Sequence, residues 1–147
     1  MRISDILALK PGKLVSVPPD TAIRRAVALM ASEHVGALVV IDLEGRLLGV
    51  VSEHGVVDGL ARHGVDLLDR HVTDIMMSDG PIVAPADTVV AAMRIMTERR
   101  ARHLPVVDDG RLTGLVSVGD VLKSRLAEKA EEVTVLQDIA RFRLAAA

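Results

Sequence analysis

The 147-residue sequence contains no cysteine and a single aromatic residue, Phe142. Without cysteine, disulfide frameworks, thiolate zinc sites and thiol catalysis are excluded, and a cytoplasmic location is the default expectation. Proteins that bind single-stranded nucleic acids usually offer a basic groove lined with aromatic side chains. This chain has a formal net charge of −2. We therefore expect no nucleic-acid partner.

Long hydrophobic runs are also missing. No apolar segment approaches the roughly 18 residues that a membrane-spanning helix needs, and the N-terminus lacks the pattern of a secretory signal. The sequence thus predicts no membrane partner and no export. Half of the residues are hydrophobic, and nearly all of these are aliphatic. A planar ligand would therefore have to lie between aliphatic side chains.

The sequence repeats itself at a separation of 65 to 66 residues. Residues 45–52 (GRLLGVVS) match residues 110–117 (GRLTGLVS), and Met30 and Asp42 match Met96 and Asp108. Such self-similarity indicates two copies of one structural unit. A single unit of about sixty residues would bury its sheet poorly. We therefore expect the two units to pack face to face as one pseudo-twofold domain.

Each unit is predicted to fold as β-α-β-β-α, which makes the fold class α+β. In the first unit, Asp20 or Thr21 is expected to cap a helix that runs to about Glu33. Two strands, at residues 37–41 and 47–51, then form a hairpin. A closing helix follows at residues 53–62, with Gly64 as its stop. The second unit repeats this order, with a helix at 88–99 and strands at 104–107 and 112–116.

The predicted domain covers residues 1–125, with repeat 1 at about 3–64 and repeat 2 at about 72–125. Residues 126–147 form a predicted helical extension. From Val118 to about Leu144 the chain has no proline, and its apolar residues recur every three or four positions, which is typical of a helix. This stripe is expected to pack either on its own domain or on another subunit.

These features resemble the CBS-domain family, specifically a stand-alone tandem CBS pair (the Bateman module). The resemblance covers about residues 3–125 and depends on the doubled unit, on residues 104–108 (LPVVD) and on residues 114–120 (GLVSVGD). It implies a regulatory module without catalysis that binds an adenine nucleotide between its two sheets. Family members act within enzymes, transporters and channels, and also as free-standing homodimers.

The second repeat offers most of the groups that a nucleotide needs. Ser117 has a hydroxyl at the mouth of a helix, where free backbone N–H groups favour a phosphate. Asp120, one turn later, is suited to accept hydrogen bonds from ribose hydroxyls. Phosphate donors are expected from two further residues, Arg102 and His103. Aliphatic walls and backbone groups for the adenine are expected from Ile82, Val83, Leu104 and Pro105.

The same residues also have a purely structural interpretation. Ser117 and Asp120 form the pattern of an N-terminal capping box, which needs no ligand. In the first repeat, however, Asp120 corresponds to Gly55, and the polar residues at 102 and 103 correspond to glycine and alanine. Several polar candidates are lost together there while the apolar pattern survives. The sequence therefore predicts one competent site and one degenerate site, the latter with Val17, Ser52, Glu53 and His54.

Three functions compete at this stage. The first is a nucleotide-sensing homodimer that regulates a protein partner, with AMP as the first ligand and ADP, ATP or a dinucleotide as alternatives. The second is a dimeric adaptor that works without ligand through its C-terminal helix. The third, an enzyme, lacks paired catalytic carboxylates or a nucleophile beside a base. The five histidines follow no metal-ligand spacing, so no metal is predicted.

Overall fold

The computed structural model describes residues 1–10 and 14–146. Positions 11–13 of the predicted first repeat and position 147 of the predicted extension lie outside the described residues. The elements, in chain order, are α1 (Ile3–Leu9), β1 (Ser16–Val17), α2 (Ile23–Glu33), β2 (Ala37–Ile41), β3 (Leu47–Ser52), α3 (Glu53–His63), two 3-10 segments (Gly64–Asp69 and Val72–Asp74), α4 (Val89–Arg99), β4 (His103–Asp108), β5 (Arg111–Ser117) and α5 (Val118–Ala146).

The predicted α+β architecture of tandem repeats is confirmed. In the first repeat β1 runs parallel to β2, and β2 pairs with β3 in antiparallel register. In the second repeat β4 pairs with β5 in the same way, and a parallel bridge between Val83 and Val106 stands in place of β1. Each repeat has its own apolar core. A further apolar cluster, which includes Val39 and Leu115, joins the two sheets. The two repeats therefore share a buried interface.

The N-terminal arm of each repeat packs on the other repeat. Ile3 and Ile6 of α1 lie in the apolar cluster of the second repeat, whereas Val72 lies in that of the first. Glycines in the strands allow this close approach. A Cβ placed on Gly114 would lie 2.7 Å from a methyl group of Leu7, and one placed on Gly49 would lie 2.8 Å from the carbonyl oxygen of residue 77. The sequence did not reveal this exchange of arms.

The exchanged arm also explains an incorrect prediction about α2. Its N-cap is Ala22, without a side-chain cap, rather than Asp20 or Thr21. The backbone N–H of Ile23 instead donates to the carbonyl of Arg70 at 2.8 Å. Because the neighbouring segment supplies an acceptor, this helix end needs no hydroxyl or carboxylate cap. Helices α3 and α4, by contrast, begin with side-chain caps, Ser52 and Thr88.

Helix α5 is much longer than α3 and extends beyond the domain. Its start is anchored by the buried side chain of Val121, and the N-terminal amine lies 3.6 Å from a carboxylate oxygen of Glu128. Every residue from position 129 to position 146 is exposed. In the part of the chain that the structure describes, the extension therefore does not pack on its own domain. Among the described residues, no helix is long and apolar enough to span a bilayer.

Candidate nucleotide site

A cleft with a volume of about 420 Å³ opens between the two repeats. Its size lies within the range of small-molecule sites, about 300–1,000 Å³. Both repeats contribute to its walls. The lining residues are Leu7, Lys10, Leu14, Val15, Glu33, His34, Val35, Gly36, Ala37, His103, Thr113, Gly114, Leu115, Ser117 and Asp120.

Ser117 and Asp120 form a complete capping box at the start of α5. The backbone N–H of Asp120 donates to Ser117 Oγ at 3.1 Å, and the backbone N–H of Ser117 donates to Asp120 Oδ2 at 2.9 Å. In the first repeat the N–H of Gly55 donates to Ser52 Oγ, also at 3.1 Å. The serine half of the box is therefore the same in both repeats. In the first repeat Gly55 stands where Asp120 stands in the second, so the second repeat completes the box with a carboxylate and the first does not.

Lys10 reaches this carboxylate from the end of α1. Its Nζ donates to Asp120 Oδ2 at 2.9 Å and to the carbonyl oxygen of Leu115 at 2.7 Å. Burial alone would raise the pKa of Asp120, but the hydrogen bonds from Lys10 and from the Ser117 N–H together lower it. The carboxylate is therefore ionised at neutral pH. A cation, an anion and the first turn of a helix meet at one end of the cleft.

His103 lies beside Lys10 and faces the first repeat across the cleft. A Cβ placed on Gly36 would lie 3.4 Å from His103 Nε2, which is ordinary van der Waals contact, so the imidazole lies directly against this glycine. Burial, followed by the positive charge of Lys10, lowers the pKa of His103, while the carboxylate of Glu53 opposes the shift. At neutral pH the imidazole is therefore neutral, and it has both a donor and an acceptor nitrogen.

Of the eight residues predicted for the site, the structure brings three together around the cleft: His103, Ser117 and Asp120. Val83, Leu104 and Pro105 are buried, and the first two belong to the core of the second repeat. The N–H of Val83 donates to the carbonyl of Pro105 at 3.0 Å, which is a sheet contact. Ile82 is 52% exposed, and none of these four residues lines the cleft.

Arg102 is exposed and does not line the cleft. Its carbonyl oxygen accepts from the N–H of Val118 at 2.9 Å, which anchors the first turn of α5. Its predicted contact with a phosphate stays a prediction. None of the four residues predicted for the degenerate site lines this cleft, although the carboxyl carbon of Glu53 would lie 3.7 Å from a Cβ placed on the lining residue Gly36. Val17 is buried in the core, Ser52 caps α3, and Glu53 and His54 are exposed.

Sequence reasoning missed the contribution of the first repeat to this cleft. Lys10, Leu14 and Val15 lie on the arm and on the segment that leads into β1, and residues 33–37 run from the last residue of α2 to the first residue of β2. The sequence indicated that the two repeats pack against each other, but not that the arm of one crosses to the motif of the other. Among the described residues, no group of three or more His, Asp or Glu side chains is placed to hold a metal ion.

Comparison with known proteins agrees with this architecture. A family model described as the CBS domain matches residues 3–62 and 72–127. The structure is similar to that of the CBS-domain containing protein ATU1752 from Agrobacterium tumefaciens, with 35% identity, a TM-score of 0.81, and coverage of 84% of this chain and 92% of that one. It is also similar to the CBS domain protein PAE2072 from Pyrobaculum aerophilum, solved in complex with AMP, with 29% identity, a TM-score of 0.72, and coverage of 82% and 89%.

Two relatives in sequence differ in length. The chain is 32% identical over 139 residues to the mitochondrial CBS domain-containing protein CBSX3 of Arabidopsis thaliana, and the match covers 89% of this chain and 68% of that protein. It is 38% identical over 102 residues to an uncharacterized 33.4 kDa protein of Thermofilum pendens. That match spans 68% of this chain and only 32% of that protein. With both repeats matched by the family model, the chain belongs to the CBS-domain family and contains two CBS domains in tandem.

Proposed function

We propose that this chain is a regulatory module that binds an adenine nucleotide in the cleft between its CBS domains and has no catalytic activity of its own. AMP is the ligand to test first, because a similar structure with 29% identity holds AMP. ADP, ATP and dinucleotides share the same base and sugar, so they belong in the same panel. We also propose that the module acts as a cytoplasmic homodimer that regulates a protein partner.

The observation that supports this proposal best is the difference between the two serine caps. Ser52 and Ser117 accept hydrogen bonds of equal length from their helices, so both satisfy the same capping requirement. The serine alone is enough to cap the helix, yet in the second repeat Asp120 is also present and accepts a hydrogen bond from Lys10. An ionised acceptor beside a cation and a helix N-terminus matches the ribose and phosphate of a nucleotide.

Within the cleft we assign the carboxylate of Asp120 to the ribose hydroxyls. Ser117, the first N–H groups of α5, Lys10 and His103 are placed for the phosphate. Leu14, Val15 and Leu115 supply the aliphatic surface on which an adenine can lie. On nucleotide binding, the ammonium group of Lys10 would exchange part of its contact with Asp120 for the phosphate.

A matched pair of variants tests this proposal. Ser117→Ala and Ser52→Ala each remove one helix cap of the same geometry, and each should cost about 0.5–2 kcal/mol of stability. Only Ser117→Ala should weaken AMP binding, which isothermal calorimetry would measure for both variants and the wild type. Equal affinity in all three proteins would remove Ser117 from the site. No heat with any adenine nucleotide for the wild type would refute the proposed ligand class.

The second candidate function is a dimeric adaptor that needs no ligand. One observation favours it: the exposed helical extension at residues 129–146, which has no role in the nucleotide proposal. Titration with the nucleotide panel separates the two functions, because the adaptor requires no binding in the cleft. The oligomeric state does not separate them, since both functions use a homodimer.

A further inference from the structure

The exposed half of α5 has an apolar face that none of the described residues covers. Six large apolar side chains of residues 129–146 are between 46% and 79% exposed: Val133, Val135, Leu136, Ile139, Phe142 and Leu144. This segment is about 27 Å long at 1.5 Å per residue. Most helices in proteins gain their stability from tertiary packing of an apolar face rather than from helix propensity.

At the centre of this face lies a short seam with charged ends. Glu132, Leu136, Ile139 and Arg143 follow one another at spacings of four, three and four residues, which is the spacing of a two-helix seam. An acidic residue thus begins the seam and a basic residue ends it. Apolar residues flank the seam on both sides: Val133, Ala140 and Leu144 on one, and Val135 and Phe142 on the other.

We propose that the extension of α5 pairs with the same helix of a second copy of this chain in antiparallel orientation. Leu136 of one copy then faces Ile139 of the other, and Glu132 faces Arg143 at both ends. In a parallel pair, Glu132 would face Glu132 and Arg143 would face Arg143, which places like charges together inside the interface. Charge complementarity therefore selects the antiparallel arrangement, and a twofold axis passes between residues 137 and 138.

A surface groove on the same helix fits this partner. It is lined by Glu128, Glu131, Glu132, Val135 and Leu136. Three carboxylates beside two aliphatic side chains suit an arginine, whose stem is apolar and whose guanidinium is cationic. In the antiparallel pair the second copy's Arg143 enters this groove. Glu132 now pairs with Lys129 at 3.1 Å, but both side chains are about 60% exposed, so the pair is readily exchanged.

The pairing rests on the proposed homodimer and adds to it a surface and an orientation. Since the chain has no cysteine, single cysteines can report the orientation directly. We would mix Glu132→Cys and Arg143→Cys proteins under mild oxidation. Antiparallel pairing predicts a mixed disulfide between the two variants and little disulfide within either one. In that arrangement the two copies of position 132 lie about 16 Å apart along the helix axis. A disulfide allows roughly 7 Å between Cα atoms, so Glu132→Cys alone should not cross-link.

Thr134→Cys is the matched control, because position 134 lies on the opposite, polar face of the helix and should not cross-link. Disulfides within each single variant would show a parallel pair and overturn the proposal. The absence of any cross-link at 132 and 143 would overturn it as well, because a partner other than a second copy must then cover this face.

A charge-reversal series gives a readout without cysteine. Glu132→Arg and Arg143→Glu should each weaken dimerisation about tenfold or more, and the double variant should return it close to the wild-type value. Sedimentation equilibrium would measure the dimer constants, and circular dichroism would check helix content. A double variant weaker than both single ones would refute the antiparallel contact. AMP affinity should be the same in all, so failure of the tail pairing and failure of the nucleotide site are distinguishable.

Discussion

Asp120→Asn separates the ligand and capping roles of the second-repeat motif. Asp120 Oδ2 accepts from Ser117 N–H and from Lys10 Nζ, both at 2.9 Å. Asparagine keeps an oxygen for the Ser117 N–H, so part of the cap survives. It loses the ion pair with Lys10, whose side chain is 36% exposed while that of Asp120 is 23% exposed.

The expected loss of stability is small. A pair this exposed contributes about 0–1 kcal/mol, and a carboxylate in the first turn of a helix contributes about 0.3–1 kcal/mol. We therefore expect the free energy of unfolding to fall by about 1 kcal/mol. At a urea dependence of about 1–3 kcal/mol per molar, the denaturation midpoint should fall by no more than about 1 M.

The expected loss of nucleotide affinity is larger. A hydrogen bond from a ribose hydroxyl to an ionised carboxylate contributes about 1.5–3 kcal/mol, and each 1.4 kcal/mol corresponds to a factor of ten in affinity. Asp120→Asn should therefore weaken AMP binding about tenfold or more. Calorimetry and urea denaturation of the variant and the wild type, side by side, measure both effects.

Asp5→Asn provides a control at a different helix. Asp5 Oδ2 accepts from the backbone N–H of Arg2 at 2.8 Å, so it holds the start of α1 as Asp120 holds the start of α5, away from the cleft lining. This variant should lower the midpoint slightly and leave AMP affinity unchanged. If Asp120→Asn behaved in the same way, Ser117 and Asp120 would be only a helix cap, and the adaptor function would take first place.

Three further predictions concern the first repeat and the cleft. Gly55→Asp should raise the free energy of unfolding by about 0.5–1 kcal/mol, because it replaces a helical glycine and adds a carboxylate to the first turn of α3, while calorimetry should still find one nucleotide site per chain. His103→Gln should flatten the decline in stability at acid pH. In the folded protein the pKa of His103 lies below the ordinary value of 6.5, so the unfolded chain protonates first and stability is lost as pH falls through 6.5. Urea midpoints of the variant and the wild type between pH 8 and pH 5.5 measure this effect. The same pH dependence in both proteins would contradict it. Gly49→Ala should cost about 1–3 kcal/mol and more than Gly114→Ala, because its Cβ meets a backbone carbonyl rather than a movable side chain; equal losses in urea denaturation would contradict this.

The sequence by itself determined the repeated unit and the boundaries of most of its elements. Apolar periodicity and turn residues depend only on local geometry, so they gave α3, α4 and both hairpins within one or two residues. The correspondence between repeats is also confirmed locally: α2 and α4 both end in a left-handed residue, at His34 and Arg100, 66 positions apart. The pairing of Ser117 with Asp120 followed from the same local rule, because a capping box spans only one turn.

Only the tertiary structure decided which surfaces meet the motif. The arm of each repeat crosses to the other, so Lys10 reaches Asp120 across 110 positions of sequence. That contact depends on the packing of Leu7 over Gly114, which no periodicity encodes. Val83 and Leu104 read as aliphatic candidates for an adenine, but strand pairing turns them into the core of the second repeat. Local patterns specify which groups a segment carries, whereas the long-range exchange of arms specifies which of them share a cleft.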